Sequence, residues 1–235
     1  MGNTTKEQHT LLTDYDTNTA YSEAFHTLFA NIRFHWNNEK TEPFSVRNVH
    51  TLLIATPSNY SEQASVPANL AIVAAQSGTP TILVDADLRT PQLEKRFGLG
   101  KHLGLSDLLQ EEEPVSAQRI IACLQKAYVS GLKLIGVGTS TEKGAALLLS
   151  PKLQDVVSCV CDVLARETEE NRPGIVIFHS APVLAGADAS LIGAIVEQTL
   201  LTIVAGSTTR AQAKQAQEQL QQARARLAGV VMLKP

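Results

Sequence analysis

Short, unbroken apolar runs separated by helix-length segments leave few folds open to this sequence. TLLIAT (51–56), TILVDAD (81–87), LKLIGVG (132–138), GIVIFHS (174–180), LLTIVAG (200–206) and AGVVML (228–233) are each strand-sized. None alternates cleanly between polar and apolar residues, so each reads as a strand covered on both faces. Helical patterns lie between them at 64–77, 115–129, 145–169, 187–197 and 209–226; Pro91, a short helix to Phe97 and the segment GLSDLL (104–109) follow the second strand. Gly78 follows the first of these, at the C′ position where helices commonly stop. In 145–169, Leu147, Leu148, Val156, Val157, Val160 and Leu164 form the inward stripe. Strands that alternate with helices predict an α/β, doubly wound, mainly parallel sheet with helices on both faces.

One domain accommodates all of it. Residues 1–19 are polar and Thr-rich and predict a flexible tail, and 20–235 predict a single α/β domain. That domain opens on a helix over 20–36, where Phe25, Leu28, Phe29, Ile32 and Trp36 share a stripe. The chain of 235 residues is 44% hydrophobic, enough for a full core. Its net charge of −3 gives no electrostatic basis for binding nucleic acid or an anionic membrane. No apolar run reaches the roughly 18 to 20 residues that span a bilayer, so no direct membrane insertion is expected. MGNTTKEQHT has no signal-peptide character, and a cytoplasmic location is expected. Cys123, Cys159 and Cys161 make no disulfide framework or matched metal-ligand pair and read as reduced, buried thiols.

In such a sheet ligands bind beyond the carboxyl ends of the strands, which directs attention to the loop after the first strand. It reads ATPSNYSEQASVPANLA (55–71). A phosphate-binding loop needs glycines there, so that backbone N–H groups can curl around phosphate. It also needs a Lys for charge and a hydroxyl for Mg²⁺.

Four segments resemble a known family: SEAFHTLFANIRF (22–34), PANLAIVAAQSG with TILVDADLRTPQLEKRFGL (67–99), GLSDLL (104–109) and IVIFHSAPVLAGADA (175–189). Together with the segments around 200–233 they resemble the bacterial tyrosine kinases of capsule and exopolysaccharide synthesis, of the MinD/ParA-like, deviant Walker A class of P-loop proteins. The resemblance implies a P-loop NTPase-like fold over nearly all of 20–233. It places the family's G-x-G-K-[ST]-[ST] on Tyr60, Ser61, Glu62, Gln63, Ala64 and Ser65. Both glycines, the Lys and the Mg²⁺ hydroxyl are then gone, while Ser65 remains at the neighbouring position. Glu62 brings a carboxylate to an anion site, which costs about 4 kcal/mol at ~4 Å and an effective dielectric of ~20. Pro67 fits within the first turn of a helix and predicts a helix start near Ser65 rather than Glu62.

The resemblance puts the Walker B aspartate at His179, read as a strand-end histidine with a hydrogen bond rather than a metal ligand. Asp85 and Asp87 match the Walker A′ carboxylates, which in the family act at magnesium and the attacking hydroxyl. Here strand-end capping or pairing with Arg89 compete with that role. Asp188 reads as a helix N-cap. In the leading helix the family's ring-forming E-x-x-R-x-x-R falls on Glu23, His26 and Phe29, with Arg33 one turn further on, so a ring is not expected. Met232 stands where the family has an Asn near the base, and VVMLKP carries none of the family's C-terminal tyrosines.

These replacements predict a degenerate, non-catalytic homologue that acts as a binding or regulatory module. No cofactor is expected. The alternative is an ATP-dependent tyrosine kinase or ATPase that holds Mg-ATP or ADP in an atypical site around Asp85, Asp87 and His179. The resemblance implies as partner a membrane polysaccharide co-polymerase (chain-length regulator) or an active kinase paralogue. A DNA-partitioning role fits the acidic balance poorly.

Overall fold

A computed structural model describes residues 11–12, 19–38, 48–60, 62–140, 144–169 and 172–234. The strands are β1 (Val49–Ala55), β2 (Thr81–Ala86), β3 (Leu124–Lys126), β4 (Leu132–Ile135), β5 (Gly174–Ser180), β6 (Gln198–Val204) and β7 (Leu227–Leu233). They form one sheet in the order β3-β4-β2-β5-β1-β6-β7, parallel throughout except for the β3–β4 pair. The α-helices are α1 (Ala20–Asn38), α2 (Ser65–Gln76), α3 (Leu93–Arg96), α4 (Leu105–Gln110), α5 (Ala117–Cys123), α6 (Lys152–Ala165), α7 (Asp188–Gly193) and α8 (Arg210–Gln222).

Unbroken apolar strands serve two cores. Leu53, Val84, Val176 and Phe178 point into the cluster shared with α4 to α8, while Leu52, Ile54, Leu83 and Ile177 point into the cluster shared with α1 and α2. Successive side chains leave a strand on opposite faces, so burial on both sides demands apolar residues at every position. The middle of α2 is buried all round; it stops in a Schellman turn, with Gly78 N–H donating to Ala75 O, Thr79 N–H to Ala74 O, and Gly78 at φ +79°. At the start of α8, Thr209 accepts from Gln212 N–H and Gln212 Oε1 accepts from Thr209 N–H, a capping box.

Three sequence expectations are revised. The helix expected over 115–129 ends at Cys123, and Leu124–Lys126 runs antiparallel to β4 through a turn with Gly131 at φ +82°. The free edge of β4 supplies ladder partners that periodicity could not foresee. The helix expected over 145–169 is a 3₁₀ segment (Gly144–Leu149) followed by α6 from Lys152. Pro151 explains the break, since it lacks an N–H and disfavours a helical Ser150. Within the segment expected to be a flexible tail, Leu11 and Leu12 are buried in the α1–α2 cluster.

α1 packs Phe25, Phe29 and Ile32 inward. Near its end Trp36 stacks on His50 of β1 at 4.2 Å and 9°. His50 Nδ1 in turn lies 2.9 Å from Glu197 Oε2.

Candidate functional site

The chain order brings one constellation together at the carboxyl edge of the sheet. β5 lies between β2 and β1, and the register pairs His179 with Ile54 on one side and with Asp85 on the other. The turn after β1, the DADLRTP turn after β2 and the end of β5 therefore meet at the point where the strand order reverses, which is where doubly wound sheets place their sites.

Asp85 is wholly buried. Its Oδ1 accepts from Asp87 N–H at 3.1 Å, and its Oδ2 accepts from Gln92 N–H at 3.2 Å and Leu93 N–H at 3.0 Å. It therefore caps α3 from the end of β2. Burial pushes its carboxyl up to about 7, against the downward pull of the backbone amides. Asp87 is equally buried. Its Oδ1 accepts from Arg89 N–H and Thr90 N–H at 3.1 and 2.9 Å, and its Oδ2 accepts from Thr90 Oγ1 at 2.8 Å and Gln63 Nε2 at 3.4 Å. Of the two structural roles expected for these carboxylates, capping and pairing with Arg89, capping is the one observed. The Arg89 side chain pairs instead with Asp188, Nε to Oδ2 at 2.6 Å. That corrects the reading of Asp188 as a helix cap: it is the first residue of α7, and α7 has no side-chain cap. Gln219 Nε2 of α8 pins the neighbouring loop through Val183 O and Gly186 O.

The loop at the phosphate-binding position is folded onto these carboxylates. Glu62 is exposed, but Gln63, Ala64 and Ser65 expose only 2%, 0% and 3% of their surface. Ser61 lies outside the described residues. The backbone turns at 62–64 and α2 starts at Ser65 with Pro67 in its first turn, as Pro67 predicts. Among the described residues, Thr56 Oγ1, the Tyr60 hydroxyl, Gln63 Oε1, Ser65 Oγ and both His179 ring nitrogens are buried without a hydrogen-bond partner. His179 thus lacks the hydrogen bond expected of it. Burial pushes its imidazole down to about 4, with nearby Asp87 pulling the other way and Arg96 adding to the depression. Burial, then the charge of Glu62, also hold the Tyr60 phenol protonated well above the ordinary range. No group of three or more His, Cys, Asp or Glu able to hold a metal occurs among the described residues.

The remaining candidates are elsewhere. Glu23 and His26 are exposed on the outer face of α1, whereas Phe29 is 3% exposed and belongs to the core. Met232 sits exposed on β7 at the sheet edge. Thr56, Thr90 and Arg96 join the cleft without having been anticipated; of these only Thr90 had a legible signal, because an Asp followed by a Thr three residues on suits a side-chain-capped turn.

The fold is that of the P-loop NTPase-like proteins: MinD of Pyrococcus horikoshii with Mg-ADP superposes with a TM-score of 0.60 at 14% identity, covering 78% of this chain and 70% of that one. The kinase domain of the Escherichia coli tyrosine kinase ETK superposes with a TM-score of 0.74 at 24% identity, covering 90% and 74%. In sequence, the Bacillus subtilis tyrosine-protein kinase YwqD is 28% identical over 212 residues, 90% of this chain and 80% of that protein. A Klebsiella pneumoniae protein described as a putative tyrosine-protein kinase in cps region is 33% identical over 150 residues, 64% of this chain. In sequence and in fold the chain is similar to the bacterial tyrosine-kinase family of capsule and exopolysaccharide synthesis. It spans about four-fifths of YwqD but only 19% of the Klebsiella protein and 22% of the Ralstonia relatives called EpsB. No protein-family model matches the chain.

Proposed function

We propose that this chain is a non-catalytic member of its family, a binding or regulatory module that keeps the kinase scaffold without the nucleotide chemistry. The observation that carries this reading is Gln63. It stands at the position of the phosphate-loop Lys, is almost wholly buried, and turns its amide toward Asp87. A neutral amide bonded to the Walker A′ carboxylate offers no charge to a phosphate. Ala64 offers no hydroxyl to magnesium, and Glu62 repels an anion. Asp85 and Asp87 spend their oxygens on the α3 cap and the Thr90 turn. The residues present therefore do not fit Mg-ATP, and no step of phosphoryl transfer is assigned to them.

Function then rests on surface recognition. The partner class proposed is a membrane-embedded polysaccharide co-polymerase, or an active paralogous kinase that docks there, with this chain on the cytoplasmic side. In support, one relative is described as lying in a cps region, and among the described residues no helix is long and apolar enough to cross a membrane. The test is a melting curve with millimolar Mg-ATP. A nucleotide at one hundred times its dissociation constant adds about 2.7 kcal/mol of stability. No shift is expected, and a clear shift abolished by Asp85→Ala would establish the atypical nucleotide site instead. Co-purification from detergent-solubilised cells tests the partner, and recovery of soluble proteins alone refutes it.

A further inference from the structure

Helix α2, SVPANLAIVAAQ, carries one polar residue in its buried middle, Asn69, with 0% exposure. A side-chain amide at such a place needs partners. Asn69 Oδ1 accepts from the backbone N–H of Leu12 at 3.0 Å, and its Nδ2 donates to the Tyr21 hydroxyl at 2.9 Å. One side chain therefore ties α2 both to α1 and to a segment far upstream. Leu11 and Leu12 expose 2% and 5% and belong to the same apolar cluster as Phe25, Phe29 and Ile32 of α1 and Leu70 and Val73 of α2. Their neighbours in sequence are polar: the stretch reads EQHTLLTDYD (7–16). Two leucine side chains and one backbone hydrogen bond are what a short peptide contributes when it seats in a groove.

The same hub adjoins the cleft. Asn69 lies one turn beyond Ser65 on the same helix face, and Tyr21, its partner on α1, is among the groups that keep the Tyr60 phenol protonated. Emptying the groove would take a hydrogen bond from a fully buried amide and bare apolar surface on both helices.

We propose that α1 and α2 form a docking groove for a leucine-pair segment, filled in cis by the chain's own Leu11–Leu12. Its filling holds α1 against the sheet and orders the turn at 62–64. The device is independent of whether nucleotide binds, and a second leucine-pair segment of the same chemistry would compete for the groove.

The experiment is hydrogen exchange on the full chain carrying Leu11→Ser and Leu12→Ser. Amides of α1 should exchange at least about tenfold faster than in the wild type while those of β1, β2 and β5 keep their rates. A saturating peptide of sequence EQHTLLTDYD should restore protection, and EQHTSSTDYD should not. Protection of α1 within about twofold of wild type in the folded variant overturns the proposal, as does failure of the leucine peptide to restore it. Should the variant not fold, exchange in the wild-type chain at rising sub-denaturing urea decides. The Leu12 amide and α1 are expected to open together before the sheet does, and opening of α1 only with the whole molecule overturns the proposal. Trp36, the chain's single tryptophan, lies on α1 and gives a fluorescence reading of the same opening.

Discussion

Asp85 and His179 face each other across neighbouring strands, both fully buried, and their proton affinities move in opposite directions. Burial raises the Asp85 carboxyl from its ordinary 3.8 to about 7. The folded chain then holds a proton that the unfolded chain has released, so this group's stability is full below pH 4 and lost as pH climbs through 7. Three pH units correspond to about 4 kcal/mol. Burial lowers His179 from 6.5 to about 4. Here the unfolded chain holds the extra proton, so stability is full above pH 6.5 and lost as pH falls through 4, about 3 kcal/mol in all. In the wild type the two slopes oppose each other over that window. Asp85→Asn removes one of them. The variant should lose stability at every pH, because the amide cannot accept all three backbone hydrogen bonds. Relative to wild type, however, it should gain stability steadily from pH 4 to 7. His179→Gln should show the reverse slope. Urea unfolding followed by circular dichroism at half-unit steps of pH measures both. If the Asp85→Asn and wild-type curves run parallel across the window, Asp85 does not hold a proton in the folded state and the reasoning is wrong.

Other consequences follow from burial and pairing. Phe29→Arg, which supplies the residue type used in the family's ring motif, should destabilise by about 3 kcal/mol or more in a urea melt, since the site is core; a folded variant that assembles into rings by light scattering would reverse that reading. Arg89→Ala leaves Asp188 buried without its cation and should cost about 1 to 2 kcal/mol, discounted because Arg89 is 42% exposed; an unchanged melting temperature refutes it. Leu53→Ala, at 0% exposure between the central strands and the helices of one face, should cost about 3 to 5 kcal/mol by the same measurement.

Much of the site was legible because it is written in local code. DADLRTP fixes a strand end and an Asp-capped turn from its own residues, and Pro67 fixes where α2 can begin. Replacement of glycines and Lys at 60–65 is likewise visible without coordinates. Choices among partners were not legible. Nothing local tells Arg89 to leave Asp85 and Asp87 and reach Asp188, 99 residues away, because that choice depends on where α7 is placed after β5. His179 is written as an ordinary strand-end residue, yet it lies without a hydrogen-bond partner, and the oxygens of Asp85, its neighbour on β2, accept from the backbone of Asp87, Gln92 and Leu93 instead.

The sequence by itself determined the layered α/β class, the positions of six of the strands, and the residue types at 60–65 on which the proposal of a non-catalytic module rests. These follow from apolar periodicity and from residue types whose backbone or charge properties cannot be substituted. Tertiary structure alone decided that Leu124–Lys126 becomes an edge strand, that Gln63 folds inward onto Asp87, and that Leu11–Leu12 is bound by Asn69 across 57 residues of chain. Each of these is a contest among partners brought together by the fold, and its outcome depends on which hydrogen-bonding edge or apolar surface the rest of the chain has left open.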